Sequence, residues 1–502
     1  MQAEILPESS RRLFDMDSRS SYRDILRSSS IIGGASVINI IIGIVKVKVL
    51  AVLLGPAGVG LMGLYQNIMG MGATLAGCGI GSSGVRQLAA SAGEASTLAI
   101  VRRTLWLSNL ILGLAGMAVL WSLREPVALW VFGDTAHASE VGWLGLGVLL
   151  TLIAGSQTAL LQGLRRIGDL ARVSIISAFS GAALGILLVY WLGQAGVLWF
   201  VLTAPAVSIL VAGYYAARLP RPQTPHDWQA IGQQWQAMLK LGIPLMAAGL
   251  LTLATQLAVR SIILREHGLD ASGYFQAAWA ISMTYIGFVL GAMATDYYPR
   301  LTTAINDHSQ ARRLVNEQAE MALLLSGPVL LAMITLAPWV IHLLYGASFA
   351  PATEVLRWQI LGDILKVASW PMGFILLAQG RGGIFIATEL TWNVVYLGAI
   401  ILGIQEWGLV IAGVGFLIAY LIFYGVVAVA AYRLIGFKLA RRNGRVTLLL
   451  LLAGGLIMYT AAQSTGAGYG VGLLATLAAS VYSLRRLNGL VDFRGWLRRK
   501  FG

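Results

Sequence analysis

The stretch IVKVKVLAVLLGPAGVG, Ile44 to Gly60, decides how this chain is read. Apolar residues fill it up to the Gly55–Pro56 pair, yet two lysines, Lys46 and Lys48, stand inside it. Followed upstream, the apolar run reaches ~20 residues. At that length a helix crosses a ~30 Å hydrocarbon core while making all its own backbone hydrogen bonds. A charged side chain at bilayer depth costs ~3 kcal/mol or more, so a lysine there either faces a cavity or snorkels to the interface on its long stem.

Runs of this kind recur along nearly all of the 502 residues, of which 57% are hydrophobic and only 12% charged. A soluble chain carries roughly a quarter charged residues. The apolar runs are continuous rather than alternating, which excludes a strand barrel. The expected fold is an all-α polytopic membrane protein of about fourteen transmembrane helices. The spans fall at roughly 30–53, 60–81, 98–121, 142–163, 170–192, 196–217, 241–264, 272–295, 320–343, 353–378, 382–403, 407–432, 446–463 and 468–484.

The net charge of +14 would suggest nucleic acid in a soluble protein. Here the basic residues lie in short loops, so the expected partner is the lipid bilayer and not nucleic acid. With the N-terminus inside, the inner segments collect almost all the arginine and lysine, from Arg11, Arg12, Arg19, Arg23 and Arg27 to the C-terminal basic tail. The outer loops hold only Arg124 and Arg265 among acidic residues such as Glu125, Asp134, Glu140 and Asp270. This asymmetry puts both termini in the cytoplasm and favours an even number of spans. A single cysteine, Cys78, rules out an intrachain disulfide. The polar, arginine-rich N-terminus lacks the apolar core of a cleavable signal peptide.

The chain repeats itself. LLGPAGVGL at 53–61 answers EHGLDASGY at 266–274, and LWVFGDTAHA at 129–138 answers HLLYGASFAP at 342–351. Gly55, Gly60 and Gly133 thereby match Gly268, Gly273 and Gly346 at one offset of about 213. LLQG at 160–163 answers LAQG at 377–380 with the offset drifting by about four. Each copy holds six spans, an even number. The copies therefore insert the same way up, related by a pseudo-twofold along the membrane normal, with a binding site expected between them. The implied organisation is an N-terminal cytoplasmic segment (1–28), an N-lobe of spans one to six (29–218), a cytoplasmic linker (219–239), a C-lobe of spans seven to twelve (240–436), a C-terminal helix hairpin (437–485) and a cytoplasmic basic tail (486–502).

The segment SYRDILRSSSIIGGASVINIIIGIVKVKVLAVLLGPAGVGLMGLYQ, with KLGIPLMAAGLLTLATQLAVRSIIL in the seventh span and TDYYPRLT at 295–302, resembles Wzx-type O-antigen translocases. These belong to the multidrug/oligosaccharidyl-lipid/polysaccharide exporter superfamily. The likeness covers spans one to twelve. It implies a flippase, not an enzyme, that carries undecaprenyl-pyrophosphate-linked sugar units across the bacterial inner membrane. The implied partners are that lipid-linked glycan and the O-antigen polymerase machinery.

Lys48 stands seven residues before Gly55, and Arg260 eight before Gly268. Each half therefore sets a cation at about the same depth on its first span, and the resemblance also implies a lysine at the position of Lys48. The expectation is a cationic cavity that holds a pyrophosphate, with Lys48 and Arg260 as principal cations. Lys46, about 200° around the helix from Lys48, is a weaker candidate. Arg86, after the glycine-rich GMGATLAGCGIGSSG, is a candidate for closing the inner side. In the tenth span Asp363 and Lys366 are three apart and can pair on one helix face. Glu389, in the eleventh span, has no partner within four residues and is a candidate for ion coupling. Asp296 and Arg300 mark an inner span end where a gate or a cap fits. Trp279 and Tyr285 are candidates for stacking on sugar rings. Pro205, Pro244, Pro328 and Pro371 are expected kinks.

No Gly-Lys dipeptide exists, so there is no phosphate-binding loop for ATP. The five histidines have no metal-ligand spacing. No cofactor is expected, and the energy source is left to a proton or sodium gradient, the membrane potential or substrate supply. A multidrug exporter of the same superfamily would need buried carboxylates for cationic drugs, whereas the apolar stretches of spans one to six hold none. A lipid II flippase shares the logic of an anionic substrate and stays open as an alternative.

Overall fold

The computed structural model describes residues 8–91, 93–219 and 227–490. The beginning of the N-terminal segment, the proline-rich part of the linker and most of the basic tail lie outside the described residues. Fourteen α-helices follow in order: α1 (Glu8–Gly77), α2 (Ile80–Ala90), α3 (Ala95–Ser122), α4 (Arg124–Phe132), α5 (Ala138–Gly163), α6 (Ile167–Leu192), α7 (Gly196–Ala217), α8 (Trp228–Ala304), α9 (His308–Leu344), α10 (Ala352–Ala378), α11 (Gly382–Trp407), α12 (Ile411–Ile435), α13 (Arg441–Gln463) and α14 (Thr465–Leu490). No strand occurs among the described residues.

Ten helical stretches are long and apolar enough to cross a membrane, and four of them run 45 to 54 residues, twice what one crossing needs. Each of the four is interrupted once. Gly55 (φ 64°, ψ −170°) divides α1, and Gly268 (φ 81°, ψ 177°) divides α8. Short 3₁₀ turns at Gly193–Ala195 and Gly408–Val410 separate α6 from α7 and α11 from α12. The result is fourteen spans, as the apolar runs predict.

The breaks fall on glycine because both dividing residues have positive φ with extended ψ, a region in which a Cβ clashes with the backbone. Pro205, Pro328 and Pro371 each lie inside an unbroken helix. Helix ends follow local chemistry where polar caps are present. Asp307 caps α9 by accepting from the amides of Ser309 and Gln310, and the Ser309 hydroxyl and these amides hold its carboxyl below the usual range.

The backbone corrects the register of the repeat. Arg165 and Gly380 both take positive φ at a helix end, and Arg166 and Arg381 donate to Leu161 O and Leu376 O in matching turns. Gly193 and Gly408 match at the next turn, each with φ 57°. All these pairs lie 215 apart, whereas Gly55/Gly268 and Gly133/Gly346 lie 213 apart. LLQG therefore does not align with LAQG letter for letter; Gly380 answers Arg165, not Gly163. The copies also differ in continuity. Span two breaks at Cys78 (φ 47°) and Gly79 (φ 68°), whereas its counterpart runs unbroken to Ala304.

The helices group into two compact units that cut across the halves of the sequence. The first takes Met1–Leu53, Tyr65–Leu129 and Asp134–Leu250; the second takes Leu54–Leu64, Trp130–Gly133 and Leu251–Gly502. In the first, α2, α3, α5, α6 and α7 share an apolar core around Ile80, Leu88, Val101, Leu105, Leu161 and Ala212. At the break in span two, backbone meets backbone. A Cβ on Gly242 would lie 2.5 Å from Cys78 O.

In the second unit the two copies of the glycine segment pack reciprocally. A Cβ on Gly60 would lie 2.6 Å from Leu269 O, and one on Gly273 would overlap Pro56 O. Position 60 meets 269 as 273 meets 56, and both correspondences keep the 213 offset, as self-complementary packing about a local twofold requires. The hairpin α13–α14 packs on α9 and α10: Gly454 lies under Leu361 and Ile334, and Gly472 against Thr335. The start of α13 and the end of α14 are fastened by Glu320, which accepts from both Arg442 and Arg486.

Gly268→Ala is expected to destabilise the purified protein by about 1–3 kcal/mol, because alanine cannot relax at that φ/ψ. Gly287→Ala, in α8 with open space around the new methyl, is expected to leave Tm unchanged or raise it slightly. Thermal unfolding in detergent, read by near-UV circular dichroism, checks both.

Candidate functional site

The two lysines of the opening stretch sit on the first half of α1, both half-buried. Lys46 lines a cavity of about 160 Å³ in the first unit, built by Asn39 and Lys46 from span one, Gln66 from span two, Ser177 from span five and Phe200 from span six. Its ammonium lies over the Phe200 ring, 5.9 Å from the centroid. Asn39 Nδ2 donates to Ser174 Oγ at 2.7 Å. Helical geometry alone left Lys46 the weaker candidate; the structure gives it a cavity. Arg86 is exposed on α2, whose buried face is Ile80, Ser83, Gly84 and Leu88.

Arg260 occupies a different setting from Lys48. In the 213 register it answers Val47, one position short of Lys48, which turns it about 100° around the helix. It is 5% exposed, donates from Nη1 to Gly63 O at 2.8 Å and lies over the Phe275 ring. Its Nε has no hydrogen-bond partner. In this conformation its guanidinium closes the backbone of Gly63, a role the sequence gave no sign of because the partner is 197 residues away.

A second polar cluster lies wholly within the second unit. Asp363 on α10 is fully buried, and its Oδ2 accepts from Ser282 on α8 at 2.5 Å. The i,i+3 pair expected between Asp363 and Lys366 does not form an ion pair: Lys366 Nζ points instead toward Met283 Sδ at 3.3 Å and the face of Tyr420. Lys366 is nonetheless within electrostatic reach of both Asp363 and Glu389, and Tyr420 of both carboxylates. Glu389, without a neighbour in its own helix, thus gains a partner from span ten. Ser282, Met283 and Tyr420 escaped the sequence reading because a serine, a methionine and a tyrosine in apolar spans carry no charge to mark them.

Trp279 is buried in a cluster of rings. It stacks on Tyr396 at 6.4 Å and meets Phe275 and Phe416, while Trp392 joins Tyr396, Phe416 and Tyr420. Tyr285 is half-buried, and Asp296 and Arg300 form an exposed i,i+4 pair at 3.1 Å. Among the described residues no group of His, Cys, Asp and Glu could hold a metal ion by side-chain clustering.

Fourteen apolar spans with broken helical pairs, a cation-lined cavity in one unit and a buried carboxylate–lysine cluster in the other define a polytopic membrane transporter. More narrowly, the chain belongs to the polysaccharide biosynthesis protein family, whose model matches residues 49–354, more than half its length. The lipid III flippase of Escherichia coli (strain K12) is 22% identical over 369 residues, covering 71% of this chain and 86% of that protein. The lipopolysaccharide biosynthesis protein WzxC of the same strain is 21% identical over 396 residues, covering 77% of each. Among solved structures, the lipid II flippase MurJ in an inward closed conformation matches with a TM-score of 0.67 at 12% identity, over 92% of this chain and 99% of that one. An inward-facing multidrug resistance MATE transporter of the MOP superfamily matches with a TM-score of 0.62 at 18% identity, over 79% and 95%. These last two likenesses are of fold.

Ser282→Ala removes the hydrogen bond given to the buried Asp363 carboxylate. The expected loss is about 1–3 kcal/mol of stability. Asp363→Asn combined with Ser282→Ala is expected to cost less than the sum of the two single changes, a coupling read by a double-mutant cycle of Tm values.

Proposed function

We propose that this protein is a flippase that moves undecaprenyl-pyrophosphate-linked oligosaccharide, an O-antigen or related repeat unit, from the cytoplasmic to the periplasmic leaflet of a bacterial inner membrane. One observation carries the reading: two lysines in the first span of a half whose apolar stretches hold no carboxylate. A site of that polarity attracts an anion and repels cationic drugs. The membership in a polysaccharide biosynthesis family supports a glycan as cargo. The names of the relatives, a lipid III flippase and a lipopolysaccharide biosynthesis protein, support a lipid-linked one. The excess of basic residues in the segments read as inner supports cytoplasmic termini.

In this reading Lys48 is the cation that meets the pyrophosphate, acting as a point charge on an ion that is costly to desolvate. Arg260 holds the backbone of Gly63 within the second unit. Asp363, Lys366 and Glu389 are the groups that couple movement to a proton or sodium ion, because a carboxylate in a span changes its charge only with a partner or an ion at hand. Arg86 and the Asp296–Arg300 pair act at the inner ends, and Tyr285 contacts sugar.

Lys48→Ala is expected to cut surface glycan at least tenfold with no fall in membrane-inserted protein. Arg260→Ala is expected to lower the protein level as well. Glu389→Gln is expected to abolish gradient-dependent flipping in vesicles while leaving substrate binding intact. Glycan display on gels, normalised to inserted protein, reads the first two. Complementation of a strain lacking O-antigen translocation, set against one lacking lipid II flipping, tests the substrate. Rescue of only the second strain would make this a lipid II flippase.

A further inference from the structure

The cavity behind Lys46 is too small for the proposed cargo. Its volume of about 160 Å³ lies below the ~300–1,000 Å³ of sites for drug-sized ligands. It is nevertheless polar in a way that apolar packing does not explain. None of the ion pairs among the described residues involves Lys46. Ser177 Oγ and Asn39 Oδ1 are buried on its wall without hydrogen-bond partners. A half-buried ammonium and two buried, unpaired polar atoms around an open space each carry a desolvation cost, which an occupant with the right chemistry removes.

The repeat shows that the space is not a general consequence of the fold. Carried across at offsets of 213 and 215, Gln66 answers Trp279, Ser177 answers Trp392, Gly181 answers Tyr396 and Val201 answers Phe416. In the second unit these four aromatic residues pack on one another and fill the corresponding place. Lys46 answers Val259, which is fully buried. The first unit has small and polar residues where the second has rings, and a lysine where the second has valine.

We propose that this cavity binds a small monovalent inorganic anion, with chloride as the physiological example. The Lys46 ammonium balances one negative charge. The Ser177 hydroxyl and the Gln66 carboxamide supply donors, and Asn39 Oδ1 accepts from a water that accompanies the ion. The proposal stands apart from the identity of the transported lipid and holds for any cargo.

The test is thermal unfolding of the purified full-length protein as gluconate is replaced by chloride at fixed ionic strength. A site occupied only in the folded state gives a saturable rise in Tm of about 2 °C or more. Lys46→Met is expected to lose that increment, and Lys240→Met, which removes an exposed lysine of α8, to keep it. Equal Tm in chloride and gluconate for the parent, or an undiminished increment in Lys46→Met, overturns the proposal. If Lys46→Met does not fold, ³⁵Cl line broadening decides. The parent should broaden the chloride signal, bromide should compete, and Ser177→Ala should weaken the effect several-fold; an unchanged signal in Ser177→Ala overturns it.

Discussion

Two contacts between glycines and backbone hold the second unit in register. Gly60 lies on Leu269 and Gly273 on Pro56 at distances that no side chain allows. Close approach of this kind lets helices associate where lipid removes the hydrophobic incentive to do so, since dispersion and weak polar contacts then carry the attraction. The rest of the unit builds outward from it. Arg260 donates to Gly63 one turn further along. Ser261 donates to the carbonyls of Trp130 and Val131 at the end of α4. The two Ser261 bonds satisfy backbone oxygens where α4 ends, a place where unpaired groups would otherwise be costly in a membrane.

How much of this was legible depends on the kind of signal. Apolar run length is a one-dimensional quantity, so the span count came directly from the letters. The pairing of Gly55 with Gly268 was visible because both copies keep the glycine at one offset. Pro205, Pro328 and Pro371 lie in continuous helices, since a proline inside a membrane helix forfeits one hydrogen bond but need not break the helix when neighbours pack around it. The 215 register after Gly133 was hidden because the glycine of LAQG is matched by an arginine, Arg165, in the same left-handed turn. For the candidate site, charge marked Lys46, Asp363, Lys366 and Glu389, but the partners that define their surroundings, Ser282, Tyr420 and Phe200, are neutral and distant in sequence.

The two copies have diverged in polarity more than in backbone. Where the second unit joins Ser282 to Asp363, the 213 and 215 offsets put Met69 and Val148 in the first, packed in a small apolar cluster. Where the second carries Glu389, the first carries Ser174, which accepts from Asn39. One copy therefore holds a carboxylate–lysine cluster beside a wall of rings, and the other presents a cation to an open space.

The interruption at Cys78 and Gly79 has a mechanical meaning. A continuous α-helix resists bending through its whole ladder of hydrogen bonds. A helix with two consecutive residues in left-handed conformation gives up part of that ladder at one point. Span two is then two rods joined by a short pivot, with Gly242 wedged against the joint, whereas its counterpart in α8 is a single beam down to Ala304. The same applied torque deflects the first mostly at one residue pair and spreads as gentle curvature along the second. In a scaffold built from two similar copies, that difference in stiffness gives one copy a place to fold and the other a length to push with.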